Sequence, residues 1–91
     1  MGVTTTPVNS VLADLEPGQA AVIDEIALPM ETQEFLRRFG FSPGVEITVS
    51  RRAPFGDPTA YRIDGAEIAL RAETARHIVV VPLSSLEKES G

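Results

Sequence analysis

The segment EITVSRRA, residues 46–53, alternates apolar with polar side chains and is the clearest strand of the chain. Ile47 and Val49 fall on one face of this segment, and Thr48 and Ser50 fall on the other. A period of two residues predicts a β-strand with one face buried and the other in water. We therefore expect the core to be built on a β-sheet.

Turn-forming residues on either side of this strand divide the chain into short segments. The next five residues, 54–58, hold two prolines and a glycine, which cannot maintain a ladder of hydrogen bonds. Four further strands are predicted, at residues 19–26, 59–64, 67–70 and 78–81. Short strands at this spacing in a small chain favour a barrel, which hides its edges by closing. The predicted fold is mostly β, a small SH3-like five-stranded barrel.

The period changes between Met30 and Phe39, where Phe35, Leu36 and Phe39 cluster on one side of a predicted α-helix. An acidic first turn and a basic last turn suit the helix dipole. Gly40 follows at the position where a residue with left-handed backbone conformation commonly ends a helix. The fold thus carries one short α-helix after the first long strand. A single helical turn within residues 72–77 is predicted before the last strand.

The length of 91 residues allows one hydrophobic core and no second domain. We predict a flexible N-terminal lead-in at residues 1–9, a folded domain at 10–83 and a flexible tail at 84–91. No apolar run is long enough to cross a bilayer, and no secretory signal is visible, so the expected location is cytoplasmic. The absence of cysteine excludes disulfides and thiolate metal sites.

Charge and composition narrow the function classes. The net charge of −5 would repel phosphate backbones, so no nucleic-acid partner is expected. The chain has one histidine and no cysteine, which leaves little material for a catalytic triad. Its glycines form no phosphate-binding motif. These features predict a binding protein and not an enzyme.

Four motifs occur in order along the chain: LADL-x-PG at 12–18, LRRFGF-x-PG at 36–44, RAP-x-GDP at 52–58, and IALR at 68–71 ahead of Ala75 and Ile78. Together they resemble the FeoA family of small cytosolic proteins of bacterial ferrous iron transport. Phe39 and Phe41 stand where that family usually has leucine. The resemblance covers residues 12–81, almost the whole predicted domain.

The resemblance implies an SH3-like barrel with no enzymatic activity and no required cofactor. It also implies a role in Fe(II) uptake as the partner of FeoB, a membrane permease whose cytosolic portion carries a GTPase domain. A related barrel occurs as the C-terminal domain of iron- and manganese-dependent repressors. This chain has no room for their DNA-binding helices, so a free-standing module is expected.

The predicted partner-binding residues are Leu36, Arg37 and Arg38 on the helix and Phe55 in the loop. The two arginines would dock on an acidic patch of the permease, and the alternative is a solvated helix face. Phe55 sits at a rigid loop tip, and aromatic residues are common interface anchors. Its alternative is to fold back over one end of the barrel.

A second hypothesis makes the chain a carrier or sensor that binds Fe2+ or Zn2+ directly. Glu73 and His77 are spaced i, i+4 and would share a helix face. A structural Zn²⁺ usually takes four protein ligands, so this pair would have to share the metal across a homodimer or with a partner. The alternative is a polar pair that faces solvent.

Two further residues have predicted structural roles. Asp57, which precedes a proline, is expected to cap nearby amide groups with its carboxylate. Arg71 is expected to pair with Asp64 or Glu67 within the fold.

Overall fold

The computed structural model describes residues 9–84. The predicted lead-in and tail lie outside this range except for Asn9 and Ser84, so their flexibility stays a prediction.

The described residues form one antiparallel sheet of six strands. The strands are β1 (Ser10–Val11), β2 (Ala20–Ile26), β3 (Glu46–Arg52), β4 (Thr59–Ile63), β5 (Ala66–Leu70) and β6 (Ile78–Pro82), in the spatial order β1-β6-β2-β3-β4-β5. The five longer strands match the predicted ones. The prediction of five strands missed β1, because two residues are too short to show a pattern. The predicted closure also needs correction, since β1 and β5 end the sheet without pairing to each other in the described range.

Helices and a tight turn connect the strands within residues 9–84. Helix α1 (Met30–Arg37) connects β2 to β3, and α2 (Ala72–Ala75) connects β5 to β6. A 3-10 turn at Leu12–Asp14 leads into β2. The predicted helix after the first long strand and the predicted helical turn before the last strand are both confirmed.

Strand β4 shows how the sequence pattern produces the core. Thr59, Tyr61 and Ile63 are buried, whereas Ala60 is half-buried and Arg62 is exposed. The buried faces of the strands enclose one core together with residues from α1, α2 and the 3-10 turn. Its members are Leu12, Leu15, Ala21, Ile23, Ile26, Leu36, Phe41, Ile47, Val49, Tyr61, Ile63, Leu70, Ala75, Ile78 and Val80.

Helix α1 ends in a Schellman motif. Gly40 has a φ of +98°, and its N–H donates to the carbonyl of Arg37 at 3.0 Å. The N–H of Phe41 donates to the carbonyl of Leu36 at 3.1 Å. Leu36 and Phe41 are both buried, as the apolar contact of this motif requires. The predicted role of Gly40 is confirmed, but the α-helix ends at Arg37 and not at Phe39.

Candidate functional site

Two aromatic side chains of the α1 segment face solvent. Phe35 is 53% exposed and Phe39 is 43% exposed, and their rings meet edge to face with centroids 5.2 Å apart. The predicted cluster of Phe35, Leu36 and Phe39 is confirmed for the two phenylalanines, whose rings meet, but Leu36 is buried apart from them in the core. Successive helical residues point about 100° apart, so a helix over one sheet buries only a narrow stripe. Leu36 occupies that stripe.

Arg37 and Arg38 stand between Leu36 and Phe39 in the chain. Both are exposed, and neither forms an ion pair with another residue of the described range. Phe35, Arg37, Arg38 and Phe39 together are called the helix surface below. Leu36 was predicted to bind a partner, but it is 1% exposed and a partner cannot reach it without unfolding α1.

Phe55 occupies the tip of the β3–β4 loop and is 98% exposed. The loop is held by two backbone hydrogen bonds, from Gly56 N–H to the carbonyl of Ala53 at 2.7 Å and from Ala53 N–H to the carbonyl of Pro58 at 3.0 Å. The alternative in which Phe55 folds back over the barrel end is therefore wrong. The loop presents a bare aromatic ring on a closed turn.

Asp57 fixes this loop to α2. The backbone N–H of Ala72 donates to Asp57 Oδ1 at 2.8 Å. The predicted capping role of Asp57 is confirmed, and its target is the first residue of a helix in another part of the sequence.

Arg52 fixes the other flank of the loop. One guanidinium nitrogen donates to the carbonyl of Leu15 at 2.5 Å, and Nε donates to Thr59 Oγ1 at 3.3 Å. No structural role was predicted for Arg52 from the sequence. Its place at the start of the RAP-x-GDP motif was the signal that could have identified it.

The tyrosine of β4 lies beneath this network. Tyr61 is 2% exposed, and burial raises the pKa of its phenol above the ordinary value of 10.0. A side-chain hydrogen bond with Thr59 and the charge of Arg52 act in the opposite direction and lower the pKa, but burial prevails.

The predicted metal pair does not share a helix. Helix α2 ends at Ala75, so Glu73 lies within it and His77 lies beyond it. The His77 carbonyl accepts a hydrogen bond from the N–H of Ala27 at 2.8 Å, and both side chains are exposed. Within residues 9–84, no group of three or more His, Cys, Asp and Glu side chains is arranged to hold a metal ion. Metal binding stays a prediction, to be checked by titration with Fe(II) or Zn(II).

The predicted pairing of Arg71 is not formed. Glu67 instead lies 3.8 Å from Arg51 and 3.6 Å from Arg62, and Asp64 forms no ion pair in the described range. The carbonyl of Arg71 accepts hydrogen bonds from Thr74 and Ala75 at the start of α2. Arg71 therefore contributes through its backbone.

No helix in the described part of the chain has the length and apolar character needed to span a bilayer.

The sheet order, the short α1 and the exposed aromatic side chains define a small β domain of the SH3-like class. A manganese-dependent transcriptional repressor contains the same fold: the two structures align with a TM-score of 0.74 over 85% of this chain and 43% of the repressor, at 23% identity. The model of the FeoA domain family matches residues 11–82, so the chain belongs to the FeoA family, which is associated with Fe2+ uptake.

Two similar proteins place the chain within that family. The solution NMR structure of FeoA protein from Chlorobium tepidum aligns with a TM-score of 0.77 and 29% identity, over 80% of this chain and 70% of that one. The second is an Fe(2+) transport protein A/Fe(2+) transporter FeoB fusion protein of Porphyromonas gingivalis (strain ATCC BAA-308 / W83), 36% identical over 74 residues. The match takes in 81% of this chain but only 9% of the fusion protein.

Proposed function

We propose that this chain is a non-enzymatic accessory module of bacterial ferrous iron uptake. It acts in the cytoplasm, binds the cytosolic region of a FeoB-type permease and promotes or regulates transport. The observation that carries the proposal is the similarity to a protein in which an Fe(2+) transport protein A and a FeoB transporter form one polypeptide. Covalent linkage raises the effective concentration of one module near the other. A surface that binds the permease would provide the same proximity without a covalent link.

The helix surface is suited to that task. Phe35 and Phe39 offer apolar area to a partner, and the exposed Arg37 and Arg38 of the same segment add two positive charges. Aromatic and arginine side chains dominate binding energy at protein interfaces. The matching surface on the permease is an apolar pocket bordered by Asp or Glu side chains. Exposed charges act mainly on the association rate and are weakened by salt.

The experiment measures the affinity of the chain for the purified cytosolic region of the permease from the same organism. The double variant Arg37→Glu, Arg38→Glu should lower the affinity at least about tenfold, or about 1.4 kcal/mol. Phe35→Ser should lower it similarly, and its effect should persist at high salt. Arg76→Glu is the matched control, since Arg76 is an exposed arginine beside α2.

The outcomes separate the two parts of the proposal. Undiminished affinity of the helix-surface variants would remove α1 from the interface but leave permease binding intact. Absence of binding by the unaltered chain would refute the permease as its partner.

A further inference from the structure

The two exposed aromatic sites lie at opposite ends of β4. The end of α1 lies against the β4–β5 turn, where a Cβ added to Gly40 would be 3.8 Å from the Cβ of Asp64. The β3–β4 loop, residues 53–58 and called the Phe55 loop below, leads into the other end of β4. A strand of five residues spans about 17 Å. The helix surface and the loop are therefore about one strand length apart on the domain.

A groove runs beside the Phe55 loop on the outer face of the sheet. Ala60 of β4 pairs with Ala69 of β5, and these two small side chains leave a shallow floor. The lining residues are Arg51, Arg52, Ala53, Pro54, Pro58, Ala60 and Ala69. Strand β5 has one sheet neighbour, β4, in the described range, so its other side is an edge. Such an edge can add a strand from another chain.

The charge of the groove is positive. Arg51 and Arg52 are its charged lining residues, and no acidic residue lines it. The Arg51 side chain is 81% exposed, and its contact with Glu67 at 3.8 Å is shared with Arg62. Exposed ion pairs of this kind contribute little, so Arg51 is available to an incoming carboxylate. The nearby carboxylate of Asp57 is engaged by Ala72.

We propose that Phe55 and this groove form a second docking surface, which binds an extended acidic peptide segment of another protein. The segment lies along β5, places an Asp or Glu side chain at Arg51 and sets an apolar side chain against Phe55 and the alanine floor. A lipid surface is the lesser candidate, because a flat bilayer could meet Phe55 but could not enter the groove. This surface is independent of permease binding by α1.

The experiment selects peptides from a displayed library of random dodecapeptides against the intact chain. Enriched peptides should combine Asp or Glu with apolar residues, and Phe55→Ser and Arg51→Glu should each lower their affinity at least about tenfold. Met30→Ser is the matched control on α1, where Met30 is 73% exposed, and it should bind as the unaltered chain does. Phe55 is 98% exposed, so its replacement should leave folding intact.

Three results would overturn the proposal. They are the absence of enrichment, equal binding by Phe55→Ser, and a loss that Met30→Ser shares. In parallel, the chain is mixed with phosphatidylglycerol vesicles. Vesicle binding that depends on Phe55, without peptide enrichment, would assign the loop to a membrane and reject the peptide. The permease measurement uses other variants, so either proposal can fail alone.

Discussion

The backbone N–H of Ala72 donates a hydrogen bond of 2.8 Å to Oδ1 of Asp57, a residue fifteen positions earlier in the chain. The first amides of any helix lack partners within the helix. Arg71, the residue before α2, provides no side-chain cap. Asp57, in the loop that carries Phe55, supplies this cap with its carboxylate. The loop and α2 therefore stabilise each other.

Replacing the capping carboxylate should destabilise the domain. We expect Asp57→Ala to lower the free energy of unfolding by about 0.5–2 kcal/mol, since helix caps contribute that much. Asp57→Asn keeps an amide oxygen that can accept the bond and should lose less. Urea denaturation followed by circular dichroism measures both. Glu16→Ala, at an exposed position, is the control. An unchanged urea midpoint for Asp57→Ala would mean that the cap contributes nothing.

The two neighbouring arginines of β3 should differ sharply. Arg52→Ala removes the hydrogen bonds to Leu15 and Thr59 and should lower the free energy of unfolding by about 1.5–3 kcal/mol, the range for bonds to charged groups. Arg51→Ala removes only an exposed ion pair and should change it by less than about 1 kcal/mol. Arg52→Lys should not restore stability, because one ammonium group cannot replace the planar fork. Equal effects of Arg51→Ala and Arg52→Ala in thermal unfolding would contradict this assignment.

Two adjacent residues of α1, Phe35 and Leu36, should contribute very differently to the free energy of unfolding. Leu36→Ala opens a hole in the core and should lower the free energy of unfolding by about 2–5 kcal/mol. Phe35→Ala acts at a half-exposed position, and only its edge contact with Phe39, about 0.5–1.5 kcal/mol, is at stake. Chemical denaturation gives both values. A stable Leu36→Ala variant would place that side chain outside the core.

Tyr61 should couple stability to alkaline pH. Burial raises the pKa of the folded phenol above the ordinary 10.0, so the unfolded chain loses its proton first as the pH rises. The folded form then holds more protons, and its stability falls with increasing pH. This contribution is complete below about pH 10 and is lost as the pH rises through the folded pKa.

The chain has one tyrosine and no tryptophan, so absorbance of the phenolate follows this group alone. Folded protein should titrate at a higher pH than protein in urea. Tyr61→Phe should remove this part of the pH dependence. Coincident titration curves in the folded and unfolded states would show that the phenol is not shielded.

Much of the fold could be predicted from local sequence patterns. The period of two in β3 and β4 identified their buried faces, and Gly40 marked the end of α1, because both features depend on neighbouring residues alone. Strand β1 was missed because its two residues have no period, and only pairing with β6 defines it. Closure of the sheet depends on whether the edge strands β1 and β5 pair, and these strands are distant in the sequence. No local sequence pattern can therefore predict it.

The candidate site was less accessible from sequence. Phe55 and the cap by Asp57 followed from turn chemistry, although the partner of Asp57 did not. The contact of Arg52 with Leu15 joins residues 37 positions apart, so nothing local indicates it. Phe35 and Leu36 are adjacent apolar residues, and only the placement of α1 over the sheet decides which of them is buried.

The alternation of buried and exposed residues along β4 also determines which substitutions such a domain tolerates. Its inward residues, Thr59, Tyr61 and Ile63, are buried, whereas Ala60 between them is half-buried and Arg62 is exposed. Substitutions at the outward positions change what the domain displays and leave its framework intact. An interior of this kind can be kept while the exterior changes, since this chain and a manganese-dependent repressor share the fold at 23% identity.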